Sequence, residues 1–357
     1  MEKIYSRRPD IEDNLSPIQK AIAYGVNAPN PHNTQAWRIR IVSDLEMDLY
    51  VDKKRLLPMT DPPARQIHMG CGCFVETLSI GAAELGYDTQ VDYFPEGIYE
   101  VNEIGQRPVA RIILSQNTNV TKDQLVKYIY HRQTNRKPYS GSLVSNSEFA
   151  EVKALVGDTD IQIIFLNQPE KMKPFLDIFS KAMEIEAVTH QLWEETRVWM
   201  RWSEKERKEK RDGLSIPQIG TDGIKKVFLE LISNKGNPKQ WFSNTTIKSS
   251  LNSFNKGINS AKGLVFLKAE TNSPLDWMKT GRLYARINLA ITRFGMYSHP
   301  YMQVTQEYPE VSELQQKFHK LLNTEEPSKI QMAFRIGRGR KPYFSYRRQL
   351  YDYIVEK

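Results

Sequence analysis

The residues best able to hold a ligand stand in three places. The first is Ala28-Pro29-Asn30-Pro31-His32-Asn33-Thr34-Gln35-Ala36-Trp37, where prolines fix φ and withdraw backbone donors, and where Asn33 and Gln35 carry amides that both donate and accept. Such a loop suits a flat heterocycle whose edge alternates carbonyl and N–H groups, although Asn and Pro are also the ordinary loop formers. The second is the basic turn Arg132-Gln133-Thr134-Asn135-Arg136. Its planar guanidinium forks can take phosphate oxygens in pairs, and a solvated patch or a helix C-terminal complement is the plainer account of the same residues. The third is Gly337-Arg338-Gly339-Arg340 with Arg347 and Arg348 near the C-terminus, where backbone and guanidinium could approach an anion together.

No protein acid, base or nucleophile is singled out by its spacing. The motifs H-E-x-x-H, G-x-x-x-x-G-K-[ST] and G-x-G-x-x-G do not occur. Cys71 and Cys73 are the only cysteines, and a C-x-C pair without a histidine cluster makes a poor zinc site. They read as small buried helix residues in a reduced compartment.

These residues need elements to position them. Ser16-Pro17-Ile18-Gln19 predicts a capped helix start whose apolar face delivers the chain to the Ala28 loop. Alternation over 38–43 and 46–52 predicts a hairpin, and 55–65 is a Pro-rich linker. A long helix is expected over 67–85, closed by Gly86, then a strand over 109–115. Beyond the polar stretch 116–122 come a helix over 121–132, the basic turn, a helix over 147–156 and a strand over 161–166. A polar helical region over 171–211 reads as a cover over other elements. Residues 214–259, with little periodicity, read as an excursion or lid. A strand over 264–269, a second long helix over 276–294 and a strand over 329–336 complete the chain.

The two long helices share a pattern. The spacing of Gly72 and Gly86 is repeated by Gly281 and Gly295, and Phe74, Leu78, Ala82 and Leu85 match Leu283, Ile287, Ile291 and Phe294 at the same offsets. A duplication is expected, with halves at 1–120 and 121–357 and the lid at about 199–259. Any pair of amphipathic helices shares part of such a pattern.

The 357 residues carry a formal net charge of +8, which points to an anionic ligand. Arg7 and Arg8 are not followed by an apolar signal region, and no run of about 18 apolar residues exists. A soluble, cytoplasmic protein without membrane association is expected.

The Ala28–Trp37 wording resembles the A-P-S-x-x-N-x-Q-P-W signature of the nitroreductase family of FMN enzymes, with Asn30, Pro31 and Ala36 as departures. Within that family it is most similar to the single-chain, internally duplicated Acg-type branch. The resemblance implies an α+β fold with mixed sheets flanked by helices, in two similar halves forming a pseudo-dimer. It also implies one FMN per chain, with NAD(P)H as reductant and a small nitroaromatic or quinone as acceptor. Carried over by position, the cofactor would meet His32, Asn33 and Gln35 of the loop. Arg132, Thr134 and Arg136 stand where the family has R-x-S-x-R. Pro300, Tyr301 and Met302 would pass along the ring, and Gly337 with Arg347 or Arg348 would reach the phosphate. The mirror-image loop is lost, because the chain passes through only Gly157-Asp158-Thr159-Asp160 into a strand; Arg7 and Arg8 are expected on that vacant side. The duplication implies a monomer or a weak homo-oligomer. A lid that excludes hydride donors would instead give a flavin-sequestering protein. A nucleic-acid-binding protein is the reading from charge and the Gly/Arg tail alone, with no recognisable binding fold to support it.

Overall fold

The computed structural model describes residues 7–9, 12, 14–233 and 236–355. Helix α1 (Pro17–Gly25) begins as expected, with Ser16 and Gln19 in a reciprocal capping box. After the loop come β1 (Trp37–Ser43) and β2 (Glu46–Val51), then the long helix α2 (Arg65–Glu84), β3 (Tyr87–Tyr93) and β4 (Ala110–Gln116). The second part contains β5 (Tyr139–Ser140), α3 (Asn146–Val156) and β6 (Gln162–Leu166), and six helices follow. These are α4 (Pro169–Val188), α5 (His190–Val198), α6 (Glu204–Lys210), α7 (Gly223–Ile232), α8 (Pro238–Trp241) and α9 (Asn244–Ile258). Strand β7 (Gly263–Ala269), α10 (Pro274–Arg293), β8 (Tyr297–Pro300), α11 (Ser312–Leu321) and β9 (Lys329–Gly339) close the order.

The halves share one topology. The first sheet runs β1-β2-β4-β3 and the second β6-β7-β9-β8, every one of these neighbours antiparallel, with β5 added on β9. The long helices α2 and α10 occupy the same place in each order and pack on one another. A Cβ on Gly72 would collide with the Met278 carbonyl, and a Cβ on Gly281 would collide with the Met69 carbonyl. Met69 and Met278 stand at the same offset from those glycines, so the contact is reciprocal and has an approximate two-fold sense. The repeated glycines thus let two backbones touch at the centre of the main apolar core, which draws on both sheets.

The C-terminal tail crosses to the first half, where Ile354 pairs beside Ile39 of β1, while Tyr139 pairs with Gly339 within the second half. We propose a break between the halves at 120/121, beyond β4.

Several expectations are corrected. The region 121–132 forms only a short 3-10 turn, Gln124–Tyr128, because Asp123 caps Leu125 N–H and is held by Arg286 at 2.7 Å before the chain turns away. Residues 214–259 are largely helical: Asn237 caps α8 and Ser243 caps α9, and polar composition hid the faces that pack. Helix α4 is no mere cover, since Met172, Phe175, Phe179 and Ala182 build a second apolar core with Phe266 and Phe318. Gly337 and Gly339 extend β9 rather than forming a loop. Strand β3 went unread, its side chains alternating half-buried and exposed on a sheet edge. The excursion as a whole, α4 to α9, is inserted between β6 and β7, where the first half has only the tight turn at Asp44-Leu45.

Candidate functional site

The loop between α1 and β1 is anchored at one end by Trp37, fully buried against Phe74 and Tyr353, whose indole N–H donates to Gly70 O at 3.2 Å. Within it His32, Asn33 and Gln35 all have left-handed φ values of 46°, 55° and 52°. Each such residue costs about 1–3 kcal/mol and persists only where its surroundings hold it. Here the holding groups are visible. Asn33 O accepts from Gly213 N–H at 3.1 Å, Asn33 Nδ2 donates to Gly213 O and Tyr346 O, and Asn33 Oδ1 accepts from Arg347 Nη1 at 2.5 Å. The Gln35 amide donates to Arg211 O at 2.9 Å and accepts from Arg348 N–H and the Tyr353 hydroxyl. The loop is therefore clamped by the C-terminal tail and by the start of the excursion.

Two cavities meet at this loop. The larger, about 320 Å³, is walled by His32, Met69, Cys73, Tyr284, Pro300 and Met302 from the two halves, and by Trp193, Met200, Leu214, Leu229, Trp241 and Phe254 from the inserted helices. Its size suits a small organic ligand or a flat ring system. Trp193 and Trp241 stack with centroids 4.5 Å apart, and each indole N–H donates to the other's carbonyl. The inserted helices are pinned down by Asp212, which takes Arg55 and Arg201 at 2.7 Å each.

The smaller cavity, about 60 Å³, shares Pro29, Asn30, Thr134, Arg136 and Leu214 with the larger and adds Arg8, Asn33, Arg132 and Arg347. Among the described residues no acid lines it. Arg8, Arg132 and Arg347 are buried, and burial followed by mutual repulsion pushes Arg8 well down and Arg347 down to about 9. Arg136 is lowered to about 10, mainly by burial. Arg347 is well supplied with acceptors at Val26 O, Ala28 O and Asn33 Oδ1. Arg132 is not: it reaches only Asn27 O at 3.5 Å, and its Nε and Nη1 have no hydrogen-bond partner among the described residues. A buried cation cluster with unmet donors is the electrostatic form of an anion site. The turn that carries it is held on β8 by the Asn135 N–H bond to Ser298 O at 3.0 Å.

The expected residues divide accordingly. His32, Thr134, Arg136, Pro300 and Met302 line the large cavity; Asn33, Arg132, Thr134, Arg136 and Arg347 line the basic one. Gln35, Tyr301, Gly337 and Arg348 line neither. Gln35 and Arg348 are tied to one another and to the tail. Tyr301 lies behind the wall against Phe179 and Phe254. Gly337 sits under Tyr139 and Lys262. Arg8, expected on a vacant mirror-image side, is instead a wall of the basic cavity. Sequence reasoning missed Glu186, Gln303, Gln306 and Gln66, which also line the large cavity; single polar residues in long elements leave no spacing to detect. Among the described residues no group of three or more His, Cys, Asp or Glu could hold a metal ion. Burial holds His32 down to about 4, so it is neutral near pH 7.

No protein-family profile matches the chain. It is similar to "Putative NAD(P)H nitroreductase acg" of Mycobacterium tuberculosis, 30% identical over 178 residues, covering 49% of this chain and 51% of that protein. A second protein named as a putative NAD(P)H nitroreductase of the same organism is 25% identical over 193 residues, covering 54% of this chain and 52% of the other. The similarity to proteins named as putative nitroreductases thus covers about half of this chain. The chain spans about half the length of the curated nitroreductases it matches. Among solved structures, the FMN-dependent nitroreductase NfnB from Mycobacterium smegmatis in complex with NADPH is 15% identical, covering 61% of this chain and 88% of that one at a TM-score of 0.36.

Proposed function

We propose that this nitroreductase relative binds one FMN per chain and passes hydride from NAD(P)H to a small oxidised acceptor of the nitroaromatic or quinone class. The observation that carries the reading is the junction of the two cavities: a largely apolar chamber that shares wall residues with a cavity lined by buried arginines, of which Arg8 and Arg132 have donors unmet among the described residues. That is the pairing of a ring site with a phosphate site. Arg132, Arg136, Arg8 and Arg347 would hold the phosphate, and Thr134 and Asn30, shared by both cavities, would meet the polar chain between. Met302, Pro300, Tyr284 and Cys73 would wall the ring. When bound, the flavin supplies two-electron chemistry, while the protein orients it and excludes water. The burial of Arg347 and Arg335 and the pairing of Arg338 with Glu148 withdraw part of the C-terminal charge from a nucleic-acid surface, which favours the small-molecule reading.

The visible absorbance spectrum of the purified protein, followed by anaerobic NADPH and NADH, tests this. Flavin bands that bleach are expected, and a colourless protein that FMN does not reconstitute would end the assignment. A second reading, that the flavin is sequestered without turnover, is favoured by the inserted helices: Trp193, Leu214, Leu229 and Trp241 all wall the chamber. Bands that persist under NADPH would select it.

A further inference from the structure

The wall of the large chamber has a polar sector that the flavin reading does not use. Glu186 of α4 lines the chamber and is only 4% exposed. Gln303, Gln306 and Gln66 line it too, and none of these four residues lines the basic cavity. Gln66 and Gln306 are more than nine-tenths buried, yet Gln66 Nε2 and Gln306 Oε1 have no hydrogen-bond partner among the described residues, and the same holds for Gln303 Oε1. Unmet amide groups in a dry wall are the mark of a site built for a polar occupant.

Glu186 has an acidic neighbour, Glu195 of α5, and the two are treated differently by their surroundings. Glu195 accepts from Met59 N–H at 3.0 Å, Thr60 N–H at 2.9 Å and the Thr60 hydroxyl at 2.7 Å, the coordination of a carboxylate. Glu186 has Gln303 as its hydrogen-bonding neighbour; the other titratable groups that bear on it are Glu195 and the Tyr308 hydroxyl, and no cation does so among the described residues. Burial, with the field of Glu195 behind it, raises Glu186 to about 7. Burial thus favours the protonated form of the Glu186 carboxyl in the chamber wall.

Resting on the proposed flavin function, we infer that Glu186 is the proton donor to the electron acceptor, in a subsite where the Gln66 amide N–H donates to a carbonyl oxygen of a quinone and the Gln306 amide oxygen faces the hydroxyl that reduction creates. A quinone gains hydride from the reduced cofactor and a proton from the Glu186 carboxyl. Two O–H bonds form as the two carbonyls become hydroxyls, Glu186 is left as carboxylate, and solvent returns its proton. The amide oxygens of Gln303 and Gln306 then accept from the hydroxyls of the hydroquinone.

The test uses duroquinone, which lacks free ring positions for thiol addition. FMN-loaded protein is reduced with dithionite, so that NADPH access does not enter, and mixed with duroquinone while flavin absorbance is followed across pH. Reoxidation is expected to fall as pH rises through about 7 in the unaltered protein. In Glu186→Gln it should be slower, on the order of a hundredfold, and flat across the same range. The same pH limb in Glu186→Gln overturns the assignment. In flavin-free protein, quenching of tryptophan fluorescence by duroquinone reports occupancy of the subsite. Gln66→Leu should weaken binding of duroquinone and Gln306→Leu that of its hydroquinone, several-fold each, and unchanged quenching in both removes the subsite. A colourless protein would sink the flavin reading, while quenching still judges the subsite separately.

Discussion

Arg132 is the residue whose surroundings least explain its presence in a folded protein without a ligand. It is buried among other guanidiniums, and two of its donors have no partner among the described residues. Replacing it with methionine should raise the melting temperature of the flavin-free protein, because a desolvated, repelled charge is removed. The same change should weaken FMN binding by about 1.5–3 kcal/mol, the scale of a charge-assisted hydrogen bond. A variant that lowers both, measured by thermal melts with and without FMN, would mean that Arg132 is structural. Arg136→Ala should weaken FMN by a similar amount with little change in fold. Glu186 gives a pH dependence of defined sign. Its folded value, about 7, lies above its ordinary 4.5, so its contribution to stability is complete below 4.5 and is lost as pH rises toward 7. Melts of Glu186→Gln minus those of the unaltered protein should therefore rise across that interval and level off above it. At this scale a short motif was enough to single out Arg132, Thr134 and Arg136 as candidates, and all three line the basic cavity. Gln35, expected at the cofactor from the Ala28–Trp37 loop, lines neither cavity: its amide is occupied by Arg211 O, Arg348 N–H and the Tyr353 hydroxyl, partners from remote parts of the chain that no local spacing signals.

Among elements, the crossing of α2 and α10 is the most constrained. A methyl group at Gly72 or Gly281 would meet a carbonyl of the opposite helix. Gly72→Ala and Gly281→Ala should each destabilise by about 1–3 kcal/mol, the range for overpacking, as a shift in urea midpoint. Because the contact is reciprocal, the two losses should be similar, and a loss at one position alone would contradict the two-fold reading. These helices, the capping box at Ser16 and the hairpin of β1 and β2 were readable because periodicity and capping are local signals. Helices α8 and α9 were not, since the Ser, Thr and Asn that fill α9 are indifferent helix formers and the packing of α9 on α4 is tertiary.

For the whole molecule, the two sheets agree in strand order while the sites do not. The inserted segment walls the large chamber, and Arg8 walls the basic cavity that shares Pro29, Asn30, Thr134, Arg136 and Leu214 with it. Titration with FMN should accordingly saturate at one equivalent per chain, with strong quenching of tryptophan emission from the Trp193 and Trp241 pair. Saturation at two equivalents would restore a mirror-image site. Duplication was visible in sequence through the paired glycines, but the place of the insertion, between β6 and β7, emerges only when the strands are paired.

The reciprocal contact of Gly72 with Met278 and of Gly281 with Met69 also bears on how such a chain can change. In an assembly of identical subunits, any substitution appears on both sides of the axis and must be tolerated twice. Here the two sides are written at separate positions, so each can be altered alone. The side bearing the arginine turn could take on about a hundred residues of cover, from α4 through α9, without imposing the same cover on its counterpart.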